Sequence, residues 1–190
     1  AGEFTVILVG KDGGEKLRTQ TATDLEPIFE LIDSMPMRRR EMQWAARINN
    51  ALEENRFELF RQTILPLQRE EDGAHYEILL RMRDENGGVI SPGLFIGAAE
   101  RYNLIGALDR WVIRNSFKWF TENARGRPAP QAITMSINLS GASVADSSLL
   151  DYIVTELARS GVLAQAVCFE ITEAAAVASL EAAKRFIRDW

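Results

Sequence analysis

The chain is poor in the residues that most often carry catalysis or cross-linking. Cys168 is its single cysteine and His75 its single histidine. One cysteine cannot close an intrachain disulfide, so a reducing compartment fits best. The same counts leave no Cys/His set for structural zinc, and no Ser-His-Asp or Cys-His triad unless His75 serves in it. At the start of its strand, beside Tyr76, His75 is expected at the surface. Cys168, in the apolar run Val167-Cys168-Phe169, is expected to be buried. No apolar run approaches the roughly 18 residues of a membrane span, and the N-terminus lacks a signal-peptide pattern. A cytoplasmic location is therefore expected, with a membrane tether elsewhere in a parent protein left open. Gly10, Gly13 and Gly14 lack the lysine and spacing of a phosphate-cradling P-loop. Positive charge is also short: the net charge is −5. That disfavours duplex nucleic acid as a partner, which requires a basic surface. The basic run Arg38-Arg39-Arg40 suits a solvated helix start.

What is present is a sequence able to form a core. Hydrophobic residues make up 46% and charged residues 26%, proportions that favour a packed domain over disorder. Residues 4–9 have the character of a strand and 24–33 of a short helix, broken at Ser34-Met35-Pro36. Residues 1–37 are expected to be an N-terminal extension or linker without an assigned function. From Arg40 onward, Trp44, Ile48 and Leu52 recur every fourth residue and define one helix face. Strands are expected at 57–65 and 75–83, joined by a polar loop around Glu70-Glu71-Asp72-Gly73 and paired antiparallel. Asp84 to Gly88 is a turn, and Ser91-Pro92 has the form of an N-cap followed by a first helical residue. A long helix runs from Leu104 to about 121, and Gly126 to Pro130 form a loop. Strand 132–139, helix 147–160 closed by Gly161, strand 166–171 and helix 179–190 then alternate, which predicts an α/β fold with a parallel sheet. The last helix places Leu180, Ala183, Ile187 and Trp190 on one face, with Glu181 four residues before Arg185 as an ion pair. The pattern is still apolar at Trp190, so a larger fold is expected to continue.

Three of these strands hold a polar residue among apolar ones: Glu77 beside Ile78, Asn138 beside Leu139, and Glu170 beside Phe169. Simple alternation, with each polar side chain facing water, accounts for any one of them. Taken together they fit a second arrangement. At the C-terminal ends of parallel strands two carboxylates and an amide converge on one mouth, and such oxygens suit Mg²⁺ or Mn²⁺. Glu173 follows in Glu170-Ile171-Thr172-Glu173, where Thr172 is a candidate N-cap.

These segments together resemble the EAL family of cyclic di-GMP phosphodiesterases, from about Arg40 to Trp190. The name-giving motif matches as Glu77-Ile78-Leu79-Leu80-Arg81, with Ile78 in place of the usual Ala. Ile90-Ser91-Pro92-Gly93-Leu94-Phe95-Ile96 with Ala99-Glu100, Ser136-Ile137-Asn138-Leu139-Ser140 and Phe169-Glu170-Ile171-Thr172-Glu173 follow in the family's order. Phe57 to Pro66 matches its first barrel strand, with Thr63 where Pro is usual. The resemblance implies a TIM-like (β/α)8 barrel whose first two strands are antiparallel. This chain would hold the N-terminal part, residues 38–190, because a whole barrel takes about 250 residues. It implies metal ligation by Glu77, Asn138 and Glu170, catalytic roles for Glu77, Glu170 and Glu173, and substrate contacts from Gln62, Leu79, Arg81 and Pro92. It implies two-metal hydrolysis of cyclic di-GMP to pGpG with Mg²⁺ or Mn²⁺, completed by aspartates beyond this sequence. A GGDEF domain in the parent chain and a homodimer are implied as partners. A degenerate module that binds cyclic di-GMP or a protein without turnover is the alternative, and Thr63 and Ile78 are the departures that favour it. An unrelated α/β domain is the third reading.

Overall fold

The computed structural model describes residues 6–9, 14–19, 36–67, 73–124 and 132–190. The helix expected over 24–33, most of the polar loop before residue 73 and the loop over 126–130 lie outside the described residues. Two compact units are present, Ala1–Trp44 and Ala45–Trp190. In the first, β1 (Val6–Val9) pairs antiparallel with β2 (Glu15–Thr19). Helix α1 spans Pro36–Glu53. It therefore starts earlier than its apolar face indicates, with Pro36 at the first helical position, where the missing N–H costs nothing.

In the second unit, β3 (Phe57–Ile64) and β4 (Gly73–Arg83) form the expected antiparallel pair, with Gln62 opposite Glu77. A two-residue strand, β5 (Val89–Ile90), returns against β4. In the turn before it, Asp84 Oδ1 accepts from Asn86 N–H at 2.9 Å and from Gly88 N–H at 2.7 Å. Gly87 in this turn takes a left-handed φ of 82°, the conformation that favours glycine. Ser91 and Pro92 open only a single 3₁₀ turn, Pro92–Leu94, and the Ser91 side chain makes no capping bond. Helices α2 (Ile96–Arg101) and α3 (Ile105–Ala124) follow. Next come β6 (Ala132–Leu139), α4 (Gly141–Ala145), α5 (Ser148–Ser160), β7 (Val167–Ile171), α6 (Glu173–Ala178) and α7 (Leu180–Asp189). Gly161 closes α5 in the left-handed region at φ 72°, as its position after the helix predicts. The strand order is β3-β4-β6-β7, with β6 parallel to β4 and β7 parallel to β6. Among the described residues no helix is long and apolar enough to cross a membrane.

The core lies on one face of this sheet. Ile78, Ile133, Met135, Ile137, Leu139 and Val167 pack against Val112, Ile113 and Phe117 of α3, Leu149 and Ile153 of α5, and Ala183 and Phe186 of α7. Side chains alternate along a strand, so the intervening residues point the other way. That is why Cys168 is exposed rather than buried: its neighbours Val167 and Phe169 take the helix-facing positions. His75 is not a free surface residue. It is half-buried, and its Nε2 lies 2.9 Å from the hydroxyl of fully buried Ser136.

The apolar face of α7 also differs from expectation. Ala183 and Phe186 are buried, whereas Leu180 and Ile187 are 52% and 68% exposed. Phe186 sets the orientation by packing edge-on against Phe169, with ring centroids 6.1 Å apart, and Trp190 meets the same ring at 4.9 Å. Turned this way, the helix pairs Glu181 with Lys184 at 3.0 Å rather than with Arg185.

Two measurements check this architecture. Phe117→Ala should destabilise by about 3–5 kcal/mol in chemical denaturation, because it empties a fully buried site, while Ile187→Ala should stay within about 0.5 kcal/mol. Between α4 and α5, the Ser148 N–H and hydroxyl and the Arg110 guanidinium hold the Asp146 carboxyl at about 2, against an ordinary 3.8. A depressed carboxyl contributes stability above its unfolded pKa and loses it as pH falls through the folded value. Asp146→Asn should therefore melt below the unmodified protein at neutral pH, and the two melting curves should converge near pH 2.

Candidate metal and ligand site

The sheet face turned away from the helices carries the polar residues. Register places Gln62, Glu77, Ser136 and Cys168 in one row across β3, β4, β6 and β7, and Asn138 beside Glu170 one step further on. Asn138 Nδ2 donates to Glu77 Oε1 at 2.9 Å. The amide nitrogen is thereby committed to Glu77, and Oδ1 is left as a free oxygen donor. Glu77 and Glu170 are half-buried and Asn138 is exposed. Among the described residues neither carboxylate has a lysine or arginine partner, although Glu54, Glu58 and Asp146 each pair with an arginine. Glu77 on β4 and Glu170 on β7 stand on the strands either side of β6, and a cation held beside them would offset the charge of both.

No group of three His, Cys, Asp or Glu converges among the described residues; here the third donor is the Asn138 amide. An all-oxygen set of two carboxylates and one amide fits a hard divalent cation such as Mg²⁺ or Mn²⁺. It does not fit zinc, which prefers sulfur and imidazole.

A cavity of ≈ 740 Å³ opens at the C-terminal ends of β4, β6 and β7. Leu79, Arg81, Pro92, Glu100, Asp109 and Asn138 are among its lining residues. Asn138 thus belongs both to the polar face and to the cavity. Arg81 donates to the Leu80 carbonyl at 2.7 Å, and its guanidinium lies 5.5 Å from the centre of the Phe60 ring. Gln62 is exposed opposite Glu77, and Glu173 is exposed at the first residue of α6. Gln62, Glu77, Glu170 and Glu173 do not line the cavity. Thr172 caps α6 as its sequence position implies, its hydroxyl accepting from Ala175 N–H at 3.3 Å.

Sequence reasoning overlooked Asp109. It stands on α3 at 7% exposure, and one of its carboxylate oxygens accepts from Ser140 N–H at 3.0 Å. Burial pushes this carboxyl above the usual range, and the hydrogen bonds from Ser140 and Ser143 and the charge of Arg110 only partly offset it. A signal was available: Ile105, Leu108, Asp109 and Val112 follow the i, i+3, i+4, i+7 spacing of one apolar face, with a carboxylate at the third place.

Comparison with known proteins agrees with this geometry. The family model described as EAL domain matches residues 45–190, and a second, described as a domain of unknown function (DUF4174), matches residues 1–41. The chain is 37% identical over 139 residues to the cyclic di-GMP phosphodiesterase PdeB of Shewanella oneidensis, covering 73% of this chain and 16% of that protein. It is 33% identical over 138 residues to the cyclic di-GMP phosphodiesterase PdeF of Escherichia coli, 73% of this chain and 18% of the other. Among solved structures, the FimX EAL domain of Pseudomonas aeruginosa bound to c-di-GMP superposes with a TM-score of 0.70 at 31% identity, covering 77% of this chain and 57% of that one. The chain thus spans less than a fifth of these two curated relatives and somewhat over half of the solved domain. Its mixed sheet, with an antiparallel first pair and parallel strands after it, is part of the same TIM-like barrel, and the chain belongs to the EAL domain family.

Proposed function

We propose that the domain containing this chain hydrolyses cyclic di-GMP to linear pGpG with Mg²⁺ or Mn²⁺, as a cytoplasmic step of second-messenger signalling. The observation that carries this reading is the unpaired Glu77–Asn138–Glu170 set, which meets the Leu79/Arg81/Pro92 cavity at Asn138. The relatives named as cyclic di-GMP phosphodiesterases support it.

Glu77, Asn138 and Glu170 would hold the cation through oxygen. When bound, it supplies positive charge and an activated water at neutral pH. The chain's own residues bind and orient. Arg81, without a carboxylate partner among the described residues, is available for a phosphate oxygen through a charge-assisted hydrogen bond. Leu79 and Pro92 offer an apolar wall for a base, and Gln62 an amide for a polar edge. Glu173, at the first turn of α6, would support the loop beside Glu170. Fixing the phosphodiester at several points lowers the entropic part of the barrier. A GGDEF domain in the parent chain and a homodimeric assembly complete the proposal.

The competing reading, a sensor that binds without turnover, rests on Ile78 and Thr63. Ile78 is 3% exposed and faces the helices rather than the oxygen set, so its extra bulk leaves the ligands in place, although it also lines the cavity and takes up volume there.

Three outcomes test the proposal on the complete domain. Glu77→Ala should lower kcat by about three orders of magnitude, while the melting temperature moves by no more than about 3 °C. Arg81→Ala should weaken apparent substrate affinity by about 10–100-fold, the worth of one charge-assisted hydrogen bond. A chelator should stop pGpG release, and added Mn²⁺ should restore it. Tight cyclic di-GMP binding without turnover under either metal would establish the sensor instead.

A further inference from the structure

Asp109 and Arg110 are consecutive on α3, and each ties down one end of the segment that follows Asn138. Asp109 accepts from Ser140 N–H, immediately after β6. The Ser140 hydroxyl in turn accepts from Ser143 N–H at 3.1 Å and caps α4. Arg110 reaches the far end, donating to Asp146 Oδ2 at 2.7 Å and to the Ser148 hydroxyl at 2.8 Å. Tyr152 of α5 donates to the Arg110 carbonyl at 3.0 Å, and its ring lies 5.5 Å from the guanidinium. The Asp109 end is closely packed as well, since a Cβ on Gly141, next to Ser140, would stand 3.0 Å from Ala175 Cβ of α6.

The two anchors do different work. The Arg110 anchor is partly exposed and lies six residues or more beyond Ser140. The Asp109 anchor is buried and lies two residues from Asn138, with only Leu139 between them. A buried carboxylate without a hydrogen-bonded partner is costly. Rotating the peptide that carries Ser140 N–H would take a backbone donor from that buried carboxylate, leaving it the Ser140 and Ser143 hydroxyls, and would also move the backbone supporting Asn138. The bond therefore holds the chain at the end of β6 in one orientation.

We propose that Asp109 is a positioning residue: by accepting from Ser140 N–H it fixes the backbone that aims the Asn138 amide at Glu77 and at a divalent cation. This rests on the cation reading given above for Glu77, Asn138 and Glu170. It adds a buried helix carboxylate as the support behind the amide ligand, comparable to the outer partners that orient ligands in other metal sites.

The test uses the 190-residue chain, small enough at 21.3 kDa for amide-resolved NMR. Hydrogen exchange at Ser140, the Asn138 side-chain resonances and Mn²⁺ affinity by spin resonance are measured for Asp109→Ala, Asp109→Asn and Arg110→Ala. Asp109→Ala should speed exchange at Ser140 and weaken Mn²⁺ binding, each by about tenfold, and shift the Asn138 side-chain signals. Asp109→Asn keeps an acceptor oxygen and should restore both to within about twofold. Arg110→Ala should lower the melting temperature but leave Ser140 exchange and Mn²⁺ affinity within about twofold, because it frees only the far end. Asp109→Ser, polar but too short to reach Ser140, replaces Asp109→Ala if that variant does not fold.

Unchanged Ser140 exchange in Asp109→Ala, or an Arg110→Ala variant that matches it in both readouts, would overturn the assignment. So would an Asp109→Asn variant that folds yet fails to rescue. If the unmodified chain does not retain Mn²⁺, its affinity is measured in the complete domain, and failure to bind there sinks the cation reading by itself. The exchange rates and Asn138 signals then still decide whether Asp109 positions that amide.

Discussion

The alternation of side chains along β4, β6 and β7 is the constraint on which everything else in this domain depends. Helices cover one face of these strands, so every second residue is committed to the core and the residues between are committed to the other face. A register slip of one residue would bring Glu77 and Asn138 against Phe117 and Ile113, where an unpaired carboxylate is far more costly than any single apolar contact is worth. The buried face therefore enforces the polar one. Ile78, Ile137 and Phe169 face the helices, and in consequence Glu77, Asn138 and Glu170 share the opposite side.

That arrangement concentrates negative charge where the sheet supplies nothing to neutralise it. Two other carboxylates of the described residues are answered by arginine. Glu156, buried at 6% exposure, receives Arg159 one helical turn away, and Asp146 receives Arg110 together with both Ser148 donors. On the polar face the single contact between the site side chains is the amide of Asn138 on Glu77, a neutral donor on an anion. Neither Glu77 nor Glu170 has a lysine or arginine partner among the described residues, which leaves both oxygen groups open to a cation. The nearby cavity has the opposite character, apolar along Leu79 and Pro92 with Arg81 at its edge, which suits a base and a phosphate.

Most of this was legible in the sequence because it depends on short-range pattern. Apolar runs between turn signals located β3, β4, β6 and β7, and the polar residues interrupting three of them marked the site. Elements set by tertiary contact were not legible. Helices α4 and α6, of five and six residues, are too short to show a period and are held by caps at Ser140 and Thr172. The orientation of α7 was misjudged because periodicity put Leu180 and Ile187 on the apolar face with Ala183 and Trp190 and left Phe186 out, whereas the ring of Phe169 packs against Phe186. Cys168 was misplaced because a run of apolar residues conceals which member is left over when its neighbours face the helices. Asp109 was passed over because a charged residue in a helix is ordinarily solvated, and only the backbone N–H of a distant segment explains its burial.

The same alternation decides how to weigh the two departures from the family pattern. Register sets Thr63 opposite Tyr76 and Gln62 opposite Glu77, so Thr63 lies on the helix side of β3 while Gln62 lies on the polar side. Ile78 likewise follows Glu77 and precedes Leu79, which places it among Val112, Phe117 and Ile137 in the core. Both changes thus fall at positions that alternation directs away from the oxygen set. A larger residue at 78 fills core volume, and a threonine at 63 replaces a residue without an N–H at a position where β3 already pairs along its length. Neither departure alters Glu77, Asn138, Glu170 or Arg81, the residues on which the proposed chemistry rests.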